Sequence, residues 1–213
     1  MARRRRRPDT KDAIVSVARQ EFAARGFAAS RVDSLARRAH VNKALIYYYF
    51  GSKLGLYRHV IGEAITGFAA RMNAVIEGPG AAEDKVKRWV AELAAHLTEH
   101  PSMPLIMLRE LADGGTHLDA DMLRKITIFV PLLRRLIGQG QAEGLFGQAD
   151  PIALHFMLMG STLFFTSNAP IRRRVRQLGL AQPPLEIASF VRHLQQVTLR
   201  SLRKDLEHVD STR

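Results

Sequence analysis

The sequence predicts an all-α protein. Three observations carry that prediction. Apolar residues recur at three- and four-residue spacing, no segment alternates with period two, and glycine and proline breaks cut the chain into helix-sized lengths. About nine helices are expected in 213 residues. A basic arm (1–8) precedes a three-helix unit with a helix-turn-helix (9–53), and a larger helical domain fills 54–213. No internal repeat is present.

The first helix opens at Asp9 or Thr10 and runs to about Arg25, with Ile14, Val17, Ala18 and Phe22 as its apolar stripe. Gly26 is expected to end it in a left-handed cap, with Phe27 folding back under the stripe. Ser30 can cap a second helix, with Asp33 completing a capping box, and Val32, Leu35, Ala36 and Ala39 share one face. His40 and Val41 interrupt the pattern. Asn42 caps a third helix, Lys43 to Phe50, whose Ile46 and Phe50 point inward together.

Ser52 caps a long fourth helix from Leu54 to about Ile76, with Leu56, Val60, Ala64, Phe68 and Met72 at four-residue spacing. EGPG at 77–80 breaks the chain, and a fifth helix follows from Glu83 to His100. Pro104 starts a short sixth helix, ended by Asp113-Gly114-Gly115. A seventh spans Leu118 to Gln141, with Pro131 kinking it and Gly138, Gly140 and Gly144 fraying its end. Asp150 caps an eighth, with Pro151 at its first position. PIRRRVRQLGLAQPP reads as an irregular basic connector, and Leu185 to about His208 as the last helix.

Composition narrows the function. The chain is 46% hydrophobic, enough for a substantial core, and it has no cysteine. That excludes a disulfide framework and a thiolate metal site, and it fits a reducing cytoplasm. No apolar run reaches the ~18 residues needed to span a bilayer. The segment after Arg3–Arg7 is amphipathic and charged, unlike an export signal. Of the net charge of +12, residues 1–60 carry +10, from 14 Lys/Arg and 4 Asp/Glu. Such a field favours encounter with a polyanion and gives salt-sensitive affinity. The arginine run is either a solvated tail or an arm on phosphates or in a minor groove.

The outer face of the third helix presents Asn42, Lys43, Ala44, Tyr47 and Tyr48. An amide, an ammonium, a methyl and two phenols suit a major groove edged by phosphates, which makes this helix the candidate reader. The stretch from residue 10 to 58, with FAARGF at 22–27, SRVDSLARRAHVNKALIYYYFGSK at 30–53 and a long helix after it, resembles the DNA-binding domain of the TetR family of bacterial transcriptional regulators. The remaining two thirds match that family in architecture only.

The resemblance implies a homodimer on a near-palindromic operator, usually a repressor, released when a small-molecule effector binds the larger domain. By position, Lys43, Ala44 and Tyr47 match places that touch bases or adjoining backbone. Ser30, Arg31, Tyr48 and Lys53 match phosphate-contacting places. Leu45 departs where a small hydroxyl residue is frequent, and is either inner packing or a contact to a thymine methyl. Ala44 replaces a frequent glycine. No cofactor, metal or membrane partner is assigned.

Large adaptable side chains in the larger domain, Met72, Trp89, Met103, Met107, Phe129, Met159 and Phe164, together with His96, are the expected lining of an effector pocket. They are also what any helical core uses. HFMLMGSTLFF at 155–165 is apolar almost all round and reads as core plus dimer interface, with Gly160 and Ser161 allowing close helix approach.

Competing functions are an enzyme or a sequence-blind architectural DNA binder. HLTEH at 96–100 fits an inverted zinc-peptidase pattern, so a small all-α metallohydrolase using His96 and His100 is the enzyme reading. Its other readings are a histidine pair lining a pocket or holding a structural metal, and a half-exposed helix end, which is preferred.

Overall fold

The computed structural model describes residues 10–180 and 186–204. Eleven helices account for most of them: α1 (Thr10–Ala29), α2 (Val32–Arg38), α3 (Lys43–Phe50), α4 (Lys53–Glu77), α5 (Ala82–Glu99), α6 (Ser102–Ala112), α7 (Ala120–Thr127), α8 (Phe129–Ala142), α9 (Pro151–Ser167), α10 (Ala169–Gln177) and α11 (Ile187–Leu202). The described residues contain no strand, only an isolated antiparallel bridge between Phe146 and Arg203. The all-α class therefore stands, and the count rises from nine to eleven.

Two differences from the sequence reading raise the count. The expected seventh helix is two, α7 and α8, separated at Ile128. Pro131 is the third residue of α8, where its missing N–H costs no intrahelical bond, so it lies in a helix start and not in a kink. The basic connector is helical as α10, begun with Pro170 in its first turn. Gly140 does not fray its helix either. It is buried within α8, and a Cβ there would meet the Phe146 ring at 1.9 Å, so its bareness admits that ring.

Two compact units form. Among the described residues, the first takes those up to 66 and 100–125, and the second takes 67–99 and those from 126 onward. This division departs from the expected cut at residue 54, since the first part of α4 and all of α6 join the helix-turn-helix. In the first unit Ile14, Ala18 and Phe22 of α1, Leu35 of α2, Ile46 of α3, Leu56, Tyr57, Val60 and Ile61 of α4, and Ile106 of α6 are fully or almost fully buried. Phe22 and Tyr57 meet edge to face at 4.9 Å, a favourable aromatic geometry.

The second unit packs α5 against α8, α9 and α11, with Trp89, Val90, Leu93, Leu133, Leu136 and Leu158 in its core. Asp150 caps α9 as expected, its carboxylate accepting from the Ile152 N–H at 2.8 Å. No single described helix is long and apolar enough to cross a membrane.

Candidate nucleic-acid interface

The reading helix is built from its start. The Asn42 side chain accepts from the Ala44 N–H at 2.8 Å, fixing the first turn of α3. Ile46 is fully buried and anchors the inner face, while Phe50 packs against His59 with ring centres 5.2 Å apart. Burial and the neighbouring Lys11 ammonium push the His59 pKa down, against a smaller upward pull from Glu63.

The opposite face is open: Asn42, Lys43, Ala44, Tyr47 and Tyr48 are all exposed, Tyr48 at 79%. The Lys43 ammonium pairs with Asp33 at 3.2 Å, both largely solvated. An exposed pair of this kind is worth little, so the ammonium is readily redirected to another anion. Leu45 is half-buried, between its two expected roles.

The base of the helix-turn-helix is tied by polar groups. Gly26 takes φ 75° and ψ 177°, a conformation only glycine adopts readily. It ends the regular part of α1 after Arg25, as expected, with a further helical turn to Ala29 across the kink, and the Phe27 ring folds back to 6.4 Å from that of Phe22. The expected cap on α2 is replaced: Arg31 is the capping residue and contributes no side-chain bond. Ser30 is 1% exposed, and its hydroxyl donates to the Gly26 carbonyl at 2.6 Å. Its expected contact to a phosphate is corrected accordingly, because the kinked chain engulfs the side chain.

Lys53 is also drawn inward. Its ammonium donates to the Phe27 and Ser30 carbonyls at 2.9 and 3.0 Å and lies 4.2 Å from the Phe27 ring centre. Arg31 remains exposed. Glu21, buried in α1, receives Arg38 and, at 3.4 Å, Arg25, so α2 is clamped to α1 through a charged hydrogen bond.

Sequence reasoning missed a second tie. Glu110 of α6 is 1% exposed and accepts from the Tyr57 hydroxyl at 2.8 Å and the His117 backbone N–H at 2.9 Å, with His117 Nδ1 also at 2.9 Å. Burial pushes its carboxyl up, but the His117 N–H, the Tyr57 hydroxyl and the His117 ring together outweigh that and hold it below its ordinary value. The Tyr57 hydroxyl moves the other way, raised by burial and by the Glu110 carboxylate. No motif signals this set, since its members lie 53 and 7 residues apart.

Of the eight residues expected to line one pocket, six lie in the second unit and two in the first. Met72, Trp89, His96 and Phe129 are buried in the second unit, with His96 stacked on Phe68 at 4.6 Å and Phe129 meeting Phe68 at a tilt, 4.9 Å between ring centres. Met159 is half-buried there, and Phe164 is 66% exposed, pointing away from any interior. Met103 and Met107 belong to α6 in the first unit. A narrow crevice in the second unit, with no room for a water molecule, is lined by Val86, Trp89, Leu133, Leu136, Leu154, Leu158 and Thr198, so Trp89 alone of the eight borders it. The open groove of about 820 Å³ beside Gln141–Gln148 and Arg200–Lys204 contains none of them.

The half-exposed reading of HLTEH is overturned at His96, which is buried. Glu99 bonds to Arg71 at 2.7 Å, and no three His, Cys, Asp or Glu side chains among the described residues come together as metal ligands.

Residues 14–60 match the family described as bacterial regulatory proteins, tetR family, and residues 83–197 match the one described as tetracyclin repressor-like, C-terminal domain. The HTH-type transcriptional repressor NicS of Pseudomonas putida is 29% identical over 202 residues, covering 92% of this chain and 93% of that protein. The HTH-type transcriptional regulator RutR of Escherichia coli is 28% identical over 162 residues, covering 75% of each. In fold, the fatty acid degradation regulator FadR of Bacillus halodurans superposes with a TM-score of 0.72 at 19% identity, over 92% of this chain and 97% of that one. The FadR of Bacillus subtilis, solved with stearoyl-CoA, gives 0.70 at 15% identity over 90% and 98%. With an exposed reading helix on an internally tied base and both family domains matched in order, the chain belongs to the TetR family of helix-turn-helix transcriptional regulators.

Proposed function

We propose that the protein is a dimeric, ligand-responsive repressor that binds a near-palindromic operator and leaves it when a small molecule binds the second unit. The observation that carries this reading is the division of labour on α3. Ile46 and the Asn42 cap fix the helix, while Lys43, Ala44, Tyr47 and Tyr48 make no contribution to the core and stay outward. Lys43, Ala44 and Tyr47 read base edges or adjoining backbone, and Arg31 and Tyr48 hold phosphates. Ser30 and Lys53 act one step back, by fixing the chain that presents them. The name of the P. putida relative supports repression.

Dimerisation uses the outer face of α9. Ile152, Phe156, Gly160 and Phe164 lie four apart and are exposed, three of them large and apolar. Such a stripe is costly in water and marks an interface, and Gly160 in its middle permits close approach of a second helix. Phe164 thus moves from the pocket to this face.

The effector is a small molecule with an apolar body. The apolar crevice beside Trp89 has no room for a water molecule, against the roughly 300–1,000 Å³ of a ligand site, so a ligand that binds there displaces packed side chains. Ligand entry and rearrangement are then one event, and the ligand shifts the population only by its preference for the rearranged state.

Selection of bound duplexes from a random library tests the proposal. The expected product is a near-palindrome whose half-sites are centred about 34–36 Å apart, as two symmetry-related reading helices require. No enriched sequence, or single half-sites only, would sink it.

A further inference from the structure

We infer that His40, in the turn of the helix-turn-helix, is a DNA-backbone contact, donating a ring N–H to a phosphate at the edge of the groove that α3 enters. The inference rests on the DNA-reading role proposed above and adds a residue that neither the sequence motif nor the family's contact positions supplied.

The backbone gives the first reason. α2 ends in a Schellman turn: the Val41 N–H reaches the Ala36 carbonyl at 3.0 Å and the His40 N–H reaches that of Arg37 at 3.2 Å. The residue at His40 in this turn must be left-handed, and His40 has φ 55°. Every other positive-φ residue described is glycine. Glycine is the usual occupant of such a turn, because a Cβ there crowds the following carbonyl.

The side chain gives the second. The His40 ring is exposed and makes no hydrogen bond, ion pair or ring contact among the described residues. It therefore returns nothing to the fold for the strain it brings. A non-glycine residue held in a sparsely populated conformation, with no internal partner, points to a task outside the chain.

Position supplies the task. His40 lies two residues before the Asn42 cap and three from both Arg37 and Lys43, all exposed. These side chains form a polar rim at the entry to the reading helix. An imidazole N–H is a suitable donor to a phosphate oxygen, and phosphate contacts from turns set the register of a reading helix without carrying sequence information.

His40→Gly separates fold from function because stability and binding should move in opposite directions. Thermal melting should rise by roughly 2–4 °C, since the strain is relieved. Affinity, read by fluorescence anisotropy, should fall roughly tenfold on the selected operator and on a random duplex alike, as removal of a donor to the phosphate backbone requires. His40→Asn, which tolerates the same conformation and keeps a donor, should bind more tightly than His40→Gly. Unchanged affinity in His40→Gly overturns the assignment. A loss confined to the operator also overturns it, because His40 would then read a base. If the parent protein failed to distinguish operator from random DNA, the repressor reading would fall, while the His40 contact would still be scored on the random duplex.

Discussion

The two units hold their helices by different means. In the first, polar bonds that each have at least one buried or half-buried partner set the geometry: Ser30 on the Gly26 carbonyl, Lys53 on those of Phe27 and Ser30, Arg38 on Glu21, and Tyr57 and His117 on Glu110. In the second, apolar faces of α5, α8, α9 and α11 pack together. Its polar ties are Lys85 on the Ile76 carbonyl, Glu143 on the Ala82 N–H, Arg71 on Glu92 and Glu99, and Gln195 on the Lys87 carbonyl, among others. A hydrogen bond is directional and tolerates one arrangement, whereas apolar contacts survive repacking at modest cost. A reader of base edges needs the first property, and a domain that yields to an effector needs the second.

Glu110 offers the sharpest break in that comparison. Glu110→Ala strands the Tyr57 hydroxyl and the His117 N–H in a buried site, at a cost of about 2–4 kcal/mol in urea unfolding. Leu158→Ala in the second unit should cost a similar amount, through a cavity. The two differ in pH response. The Glu110 carboxyl is depressed in the fold, so its contribution is complete above the ordinary glutamate value and is lost as pH falls through the lower folded one. Tyr57 is raised, so its share is complete below the ordinary tyrosine value and is lost as pH climbs towards the folded one. The destabilisation of Glu110→Ala should therefore hold steady from about pH 5 to 9 and shrink in acid. A Glu110→Ala penalty that ignored acid would mean the carboxylate network is not what holds α6.

Next in size are the outward residues. Lys43→Ala or Tyr47→Ala should leave stability within about 0.5 kcal/mol, because neither side chain is in the core. Operator binding should weaken by about 1–3 kcal/mol, and binding to random duplex by less. Equal losses on both duplexes would move Lys43 and Tyr47 from the bases to the backbone and would blur the inner and outer faces of α3.

That same division explains what the sequence made legible. Periodicity and caps reveal local geometry, so the Asn42 and Asp150 caps, the Ile46 anchor and the stripe of α4 could be read directly. Side chains that reach across the fold leave no local trace. Ser30 and Lys53 sit where a phosphate contact was expected; the break at Gly26 is legible, but that the Ser30 hydroxyl and the Lys53 ammonium turn to carbonyls of that segment is not. Glu110 was invisible because its partners are distant. The pocket residues could not be sorted from the core in sequence, because methionine and aromatic residues fill cores and line cavities alike, and composition cannot assign Met103 to one unit and Met159 to the other. His40 was readable in principle, as a non-glycine residue in a turn that favours glycine.

Charge separates the regions as clearly as bonding does, and the smallest predicted effect tests it. Five of the 14 Lys/Arg in residues 1–60 are Arg3–Arg7, which lie outside the described residues. The sequence leaves two roles for them, a solvated tail or an arm on DNA. Deleting residues 2–7 should leave the unfolding midpoint unchanged and lower the slope of log affinity against log salt by roughly one unit for each phosphate the arm neutralises. Operator and random duplex should respond equally, since an arm on phosphates carries no sequence information. A weakening concentrated on operators with A·T-rich flanks would instead place the arm in the minor groove. An unchanged slope on both would assign the polyanion-binding charge to Arg31, Arg37 and Lys43 alone, confining the interface to the helix-turn-helix.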